Sequence, residues 1–318
     1  MLNITEALSK SPDYIAHDGI ARQKSVYSPN QAQTQEAFGF KWKKRDTYES
    51  EAVQSASKAW LLERYVLPGR TLKDAVKGKR VLDAGCGAGH SALLLFGELL
   101  KECDYLGVDI STAVDVAKQR FTERGLPGQF LQASLLDLPK EIGDFDVIFS
   151  EGVLHHTDST RDAVHYLAKR LKPGGTFMFY IYKKKGPIRE FTDDYIRERI
   201  EGMSDQEAWD ALMPLTKLGK DLGDLGITID IKEPIDVLSI PAGKIDLQRL
   251  FYWHIFKAYH KPDWTLDELN HINFDWYRPK NCLRQTPEEV TQWLNEAGLK
   301  VSNMRVEDAG ITVIADRP

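Results

Sequence analysis

The sequence predicts an α/β protein: a doubly wound, mostly parallel sheet interrupted by an inserted, mainly helical lid. Three observations carry that expectation. Short apolar runs alternate with helical spacings between Lys79 and Tyr182, the pattern of buried parallel strands joined by crossover helices. The alternation stops at Lys183 and resumes at Thr286. The stretch between, 183–284, holds four of the seven tryptophans, whereas 79–182 holds none.

Each element follows in order. Residues 1–78 are polar and helical in tendency, with the cluster FGFKWKKRDTYES at 38–50, and read as an N-terminal arm. RVLDAG (80–85) reads as a buried strand ending in glycine, and HSALLLFGELLK (90–101) has helical apolar spacing. YLGVDI (105–110) is a second strand, and TAVDVAKQRFTERG (112–125) a helix closed by Gly125. QFLQAS (129–134) and FDVIFS (145–150) are the third and fourth strands. DAVHYLAKRLKPGG (162–175) is a helix stopped by proline and two glycines, and TFMFYIY (176–182) is the fifth strand. Within 183–284, helices are expected near 189–201, 204–213 and 245–260, with a strand or hairpin at 227–240. TPEEVTQWLNEAG (286–298) opens on a capping box, Thr286 with Glu289, and has Pro287 at its first turn. LKVSNMRVE (299–307) and GITVIAD (310–316) read as an antiparallel pair turning at Asp308-Ala309. The expected organisation is an arm (1–78), a core (79–182), an inserted cap (183–284) and a C-terminal completion of the sheet (285–318).

Composition excludes several function classes. With 318 residues, at about 150 per domain, the chain has room for two domains or one with large additions. A net charge of −5 argues against a general nucleic-acid binder, and the inserted stretch, with 16 Lys+Arg and 18 Asp+Glu, has no basic stripe. The three cysteines, Cys86, Cys103 and Cys282, are too scattered for a disulfide framework or zinc site. No apolar run approaches the roughly 20 residues of a membrane span, and MLNITEALSKSPDYIAHDG lacks the basic start and apolar core of a signal peptide. A cytoplasmic protein with a small-molecule partner, no nucleic acid, no membrane and no metal is expected; a homodimer is an assembly the sequence admits.

The sharpest motif is Asp83-Ala84-Gly85-Cys86-Gly87-Ala88-Gly89, between the first strand and the first helix. Glycines there let the backbone turn tightly and approach a ligand. Asp109 ends the second strand, where a carboxylate can accept both ribose hydroxyls of an adenosine cofactor. The spacing is G-x-G-x-G, not the dinucleotide G-x-G-x-x-G. Asp83 would repel a pyrophosphate but suits a cationic amino acid, so charge favours S-adenosyl-L-methionine over NAD.

VLDAGCGAG, GVDIS, ASLLDLP, FDVIFSEGVLHHT and LKPGG, in that order, resemble the class I S-adenosylmethionine-dependent methyltransferases. The resemblance implies a seven-stranded, Rossmann-like sheet whose last strand is antiparallel. It implies that Gly85, Cys86 and Gly87 pass the methionine moiety, with Asp83 near its ammonium, Asp109 on the ribose and Ile110 against the adenine. Where many relatives place an acid on the adenine amino group, this chain has Ser134, with the Leu135 backbone N–H beside it. Phe38, Phe40 and Trp42 belong to an N-terminal segment that in such enzymes folds over the cofactor, though packing explains them equally. The large insertion resembles small-molecule and glycan-associated members with a helical cap.

Ser150-Glu151-Gly152-Val153-Leu154-His155-His156 follows the fourth strand, at the sheet edge where such folds bind ligands. Glu151 or His155 is placed to orient a substrate or take its proton, and Tyr182 should face the pocket. A histidine in this loop also serves simply to hold it. His90, at the start of the first helix, is expected to cap or pack near the glycine loop. Lys183-Lys184-Lys185 is either an anion clamp or a solvated run. Arg189, Tyr195, Arg249, Tyr252, His254, Tyr259, His260 and Tyr277 are lid candidates, with Tyr252, Phe256 and Tyr259 sharing a face if helical. The expected activity is methyl transfer to a small or medium-sized metabolite, with an oxygen or nitrogen acceptor favoured. A tRNA or protein methyltransferase and a catalytically silent methyltransferase-like binding protein remain open beside it.

Overall fold

A computed structural model describes residues 3–25 and 27–318; Met1, Leu2 and Val26, all in the stretch read as an arm, lie outside the described residues. The chain runs α1 (Ile4–Leu8), β1 (Tyr14–His17), β2 (Ile20–Gln23), α2 (Pro29–Lys43), α3 (Glu51–Tyr65) and α4 (Leu72–Val76). The core follows as β3 (Arg80–Ala84), α5 (His90–Leu95), β4 (Asp104–Asp109), α6 (Ala113–Glu123), β5 (Gln129–Gln132), β6 (Phe145–Glu151), α7 (Thr160–Lys169) and β7 (Leu171–Tyr182). Next come α8 (Pro187–Ile200), α9 (Asp205–Asp224), β8 (Thr228–Ile231), β9 (Gly243–Asp246), α10 (Leu247–His254) and α11 (Leu266–Tyr277). α12 (Pro287–Glu296), β10 (Lys300–Val306) and β11 (Gly310–Asp316) close the chain.

The main sheet has the order β1-β2-β5-β4-β3-β6-β7-β11-β10. The expected seven strands are its last seven, and β11 runs antiparallel to both β7 and β10. Two further strands correct the helical reading of the arm: the hairpin β1–β2 turns at Asp18-Gly19, both at positive φ, and β2 pairs in parallel with β5. Strand alternation sorts the core into two layers. Leu82, Ala84, Leu106, Val108, Ile148, Phe177, Phe179 and Ile181 pack toward α7 and α12, with Val164, Leu167, Val290 and Leu294. Val81, Tyr105, Val147, Phe149 and Met178 pack toward α4, α5 and α6. Each fully buried apolar side chain contributes about 1.5–3 kcal/mol, which fixes the strand register and the loops it carries.

The structure departs from the sequence reading in four further places, three of them in the insertion. α9 continues past Pro214 to Asp224, although proline inside a helix costs about 3 kcal/mol. Tertiary bonds from α11 offset this: Asn270 Nδ2 donates to Trp209 O at 3.0 Å, and Thr216 Oγ bonds Asn270 and Asn273 at 2.6 and 2.8 Å. β8 pairs with β9, so the hairpin's second strand falls at 243–246, beyond the expected range. α10 stops at His254, and the aromatic stretch after it forms the long helix α11. β7 starts at Leu171 and takes in Lys172-Pro173-Gly174-Gly175, which the sequence assigned to a helix end. The capping box at Thr286 and Glu289 is present.

The two ends of the insertion meet. Lys183 and Gln285 form a parallel bridge, with Gln285 N donating to Tyr182 O at 3.0 Å and Lys184 N to Gln285 O at 2.9 Å. Between core and insertion lie α2 and α3. Trp42, Tyr48, Val53 and Trp60 pack with Tyr252, Tyr259, Trp264 and Leu269, and Phe40 packs with Trp209 and Phe274.

Candidate active site

β3 carries Asp83 to the C-terminal edge of the sheet, and the glycine turn follows. Gly85, Gly87 and Gly89 have φ of +86°, +50° and +70°, a region that side chains disfavour. A Cβ on Gly85 would fall 2.2 Å from Val153, and one on Gly87 2.8 Å from Trp42 Nε1. The turn is pinned from below: Gly85 N and Cys86 N both donate to Val108 O, at 2.7 and 2.9 Å. Cys86 itself is buried, its sulfur toward Gly107. Arg120, 1% exposed, donates to Ala88 O at 2.8 Å and pairs with Glu49 at 2.8 Å. The backbone around the ligand space is therefore set before any ligand arrives.

Two carboxylates flank the turn. Asp109 accepts Gly87 N–H at 2.9 Å through one oxygen, and Ser111 N–H and O–H at 2.8 and 2.6 Å through the other. Burial pushes its carboxyl up, and these bonds oppose the rise. Asp83, 2% exposed, accepts the Tyr105 hydroxyl at 2.7 Å. Burial pushes Asp83 up to about 7 against that hydrogen bond, and the charges of Asp109 and Glu151 add to the rise.

A pH dependence follows from Asp83. With its folded value raised, the stability it contributes is full below the ordinary carboxylate range and is lost as pH rises through about 7. A cation binding beside it favours the ionised form, so affinity for a cationic ligand should rise about tenfold between pH 6 and pH 8. Asp83→Asn should flatten that rise and bind the cation more weakly at pH 8. Calorimetry at the two pH values checks this; an equal slope in the variant would rule out Asp83 as the titrating group.

One cavity of about 550 Å³ joins this region to the insertion, within the ~300–1,000 Å³ of small-molecule sites. Its glycine-turn end is lined by Trp42, Asp83, Gly85, Cys86, Gly87, Asp109, Ile110, Ser134 and Leu135. Ile110 O accepts from Gln35 of α2 and from Gln132, at 2.8 and 3.1 Å. Ser134 N donates to Gln23 of β2 at 3.0 Å, while its hydroxyl accepts from Leu136 N at 3.2 Å. The unforeseen β1–β2 hairpin thus braces the turn that carries Ser134.

Near Asp83, Glu151 also lines the cavity but is held by an ion pair with Arg64 and by the Tyr65 hydroxyl at 2.5 Å. Arg64 lies 3.8 Å over the Tyr180 ring. Tyr182 also lines the cavity and donates to Asp275 at 2.5 Å; Asp275 is ion-paired to Lys41 of α2. Burial pushes Asp275 up, but Lys41, His156 and Lys257 outweigh it and hold the carboxyl well below its usual range.

His155 does not line the cavity. Fully buried, it stacks on Tyr182 with ring centres 3.7 Å apart, and its Nδ1 accepts Tyr182 N–H at 3.3 Å. Burial keeps it neutral, well below its ordinary value. Its neighbour reaches the wall instead: His156 bonds Asn281 O through Nδ1 at 2.6 Å, and burial lowers it to about 4 against Asp275 and that carbonyl. A short turn at 154–156 decides which of the two faces the cavity. His90 lines the cavity too, packed against Trp42 and Tyr48 beside the glycine turn.

The insertion contributes Arg249, Tyr252, Trp253, Lys257 and Tyr259, and α3 adds Trp60 and Glu63. Tyr252 and Tyr259 meet with ring centres 5.9 Å apart, but no continuous helix joins them, and Phe256 packs on Phe251. The remaining lid candidates stand elsewhere. Arg189 is buried against Asp193, Tyr277 bonds Asp193 at 2.7 Å, and Tyr195 is exposed. His254 and His260 do not line the cavity. The lysine run is no clamp on this cavity: Lys183 pairs with Asp308, and Lys185 bonds the carbonyls of Asp308 and Ala309. Nothing in the sequence singles out Trp60, Arg64 or Lys257 for the site; Asp275 alone has a local signal, the aromatic residues Phe274, Trp276 and Tyr277 around it.

A glycine turn at the carboxyl edge of a doubly wound sheet, acids in β3 and at the end of β4, and a last strand, β11, antiparallel to its neighbours make a Rossmann-like sheet whose ligand crevice lies at that edge. Residues 81–175, within this core, match the family described as methyltransferase domain. A tRNA U34 carboxymethyltransferase of Hydrogenovibrio crunogenus is 35% identical over 112 residues, 32% of this chain and 31% of that protein. A ubiquinone biosynthesis O-methyltransferase of Marinobacter nauticus is 33% identical over 105 residues, 32% of this chain and 43% of that one. The chain spans less than half the length of either relative. The magnesium protoporphyrin IX methyltransferase of Synechocystis PCC 6803 superposes with a TM-score of 0.46 at 13% identity, covering 93% of this chain and 100% of that one.

Proposed function

We propose that the protein is an S-adenosylmethionine-dependent methyltransferase acting on a small or medium-sized metabolite, with an oxygen or nitrogen acceptor. The observation that carries this reading is the single cavity running from the glycine turn and Asp109 to the aromatic wall of residues 252–259. The residues at the first end suit the cofactor: two left-handed glycines whose Cβ space is already filled, a buried acid for an ammonium and a second acid for a ribose. Asp83, Gly85, Cys86 and Gly87 would hold the amino-acid part, Asp109 the ribose, and Ile110, Ser134, Leu135 and Trp42 the adenine side. Bound there, the cofactor supplies a methyl group made electrophilic by its sulfonium.

The chain's own residues orient and enclose the acceptor. Tyr252, Trp253, Tyr259 and Trp60 exclude water from the far end, and alignment in a dry site contributes several kcal/mol to such displacements. Glu151 is engaged by two partners and shapes the wall. Tyr182, bound to an ionised Asp275, keeps its proton and presents its ring and hydroxyl at the junction of the two ends. His155 acts through Tyr182, as the support that fixes its ring.

Several relatives are named tRNA U34 carboxymethyltransferases and match about a third of this chain, while the family match, 81–175, leaves out Trp60, Arg249, Tyr252, Trp253, Lys257 and Tyr259 of the far wall. Among the described residues, no helix is long and apolar enough to cross a membrane, and Cys86, Cys103 and Cys282 are buried and unpaired. A cytoplasmic location belongs to the same reading.

Calorimetry with S-adenosylmethionine and S-adenosylhomocysteine tests the proposal. Binding of both in the micromolar range, one per chain, is expected. No heat with either at millimolar concentration, in a folded protein, would refute it.

A further inference from the structure

The charges on the cavity wall do not all pair off, and the unpaired ones are confined to one end. Beyond the glycine turn it presents four acids and four cations. Glu63 and Glu307 both pair with Arg305, at 2.6 and 2.7 Å, Glu151 with Arg64, and Asp275 with Lys41. Lys41 and Arg64 are thereby spent. Arg249 and Lys257 have no carboxylate within ion-pair distance among the described residues.

Neither cation is an ordinary solvated side chain. Lys257 is 6% exposed, and its ammonium has no hydrogen bond among the described residues; its neighbours are the rings of Trp276 at 4.9 Å and Tyr182 at 6.0 Å. Arg249 gives one N–H to His260 O at 3.1 Å, which leaves most of its donors unused, and its guanidinium lies 5.4 and 5.9 Å from the rings of Tyr252 and Tyr259. Withholding a cation from water without a partner is costly, and burial lowers Lys257 to about 8 against the pull of Asp275. At neutral pH it still carries its charge for most of the time. A wall that keeps two unneutralised cations among Trp60, Tyr180, Tyr252, Trp253 and Tyr259 is complementary to a negative group on a flat apolar body.

We propose that the substrate is a small anionic metabolite with an aromatic or otherwise planar body, its carboxylate or phosphate received by Arg249 and Lys257. This deepens the methyltransferase reading and rests on it for which end of the cavity admits the substrate. It gives Arg249 a forked contact and Lys257 a point charge, while Tyr252 and Tyr259 hold the ring.

The test uses the full chain saturated with S-adenosylhomocysteine and three probes: benzoate, phenyl phosphate and the neutral benzamide, followed by ligand-detected NMR titration. One or both anions should bind at least tenfold more tightly than the amide, and Arg249→Gln and Lys257→Met should each weaken the anion about tenfold or more. Both variants should keep S-adenosylhomocysteine affinity within threefold, and Arg249→Lys should restore part of the loss. Equal binding of anions and amide, no anion binding, or anion binding indifferent to both substitutions would overturn the proposal. So would a bulk tRNA fraction that binds through these two residues while the small anions do not. Failure of S-adenosylhomocysteine to bind at all would instead strike the methyltransferase reading, and that titration is read first.

Discussion

Replacing Asp109 by alanine is expected to weaken S-adenosylmethionine binding about a hundredfold. Each hydrogen bond to a charged group contributes about 1.5–3 kcal/mol; if Asp109 receives two ribose hydroxyls as proposed, both are lost, which at about 1.4 kcal/mol per tenfold gives at least that factor. The substitution also frees Gly87 N–H and Ser111, now bonded to Asp109 at 2.9, 2.8 and 2.6 Å. The glycine turn should loosen, adding to the loss. Asp109→Asn separates the two effects, because an amide oxygen can still accept from Gly87 while the ribose loses one acceptor. Calorimetry gives the affinity and a thermal melt gives the fold; a variant that binds within threefold of the parent would remove Asp109 from the site.

The largest effect on stability should come from Asp193→Ala. Asp193 is 1% exposed and accepts from Arg189 Nε at 2.5 Å, Trp276 Nε1 at 2.8 Å, Tyr277 O–H at 2.7 Å and Lys257 N at 3.2 Å. Its removal strands Arg189, also 1% exposed, whose remaining strong partner is Tyr252 O. Breaking a buried pair from one side costs about 3–5 kcal/mol. Urea denaturation should register that loss, and hydrogen exchange should show it concentrated in α8, α10 and α11. The double replacement Arg189→Met with Asp193→Leu should recover only part, since the Trp276 indole and the Tyr277 hydroxyl would still lack an acceptor. A loss under 1 kcal/mol for the single variant would contradict the picture of Asp193 as the hub of the insertion.

What could be read beforehand follows from how local each signal is. RVLDAG and YLGVDI announce themselves because strands buried on both faces are apolar throughout, and the glycines between them answer to φ values that side chains resist. Thr286 and Glu289 are legible because a capping box is completed within four residues. Lys41 and Asp275 are illegible for the opposite reason: 234 residues separate them, and only the packing of α2 on α11 brings them together. α11 itself is rich in asparagine, histidine and aromatics, all indifferent helix formers, and it forms because its face is buried. His155 and His156 differ by one position in a single tight turn, a distinction no periodicity predicts. The hairpin β1–β2 does carry a local signal, Asp18-Gly19 between YIAH and IARQ, but each run is only four residues long and stands among polar neighbours that mask it.

The bridge between Lys183 and Gln285 has a consequence for how such a chain can change. An excursion of about a hundred residues leaves the sheet and re-enters it at adjacent positions, held by two backbone hydrogen bonds. Because closure entropy grows only with the logarithm of loop length, lengthening, trimming or exchanging that excursion barely alters the free energy of joining its ends. The sheet experiences the whole segment as a short turn. Variation can therefore accumulate in the wall that meets the acceptor while the strands beneath keep their register, and one core can serve many chemistries by substitution at a single doorway.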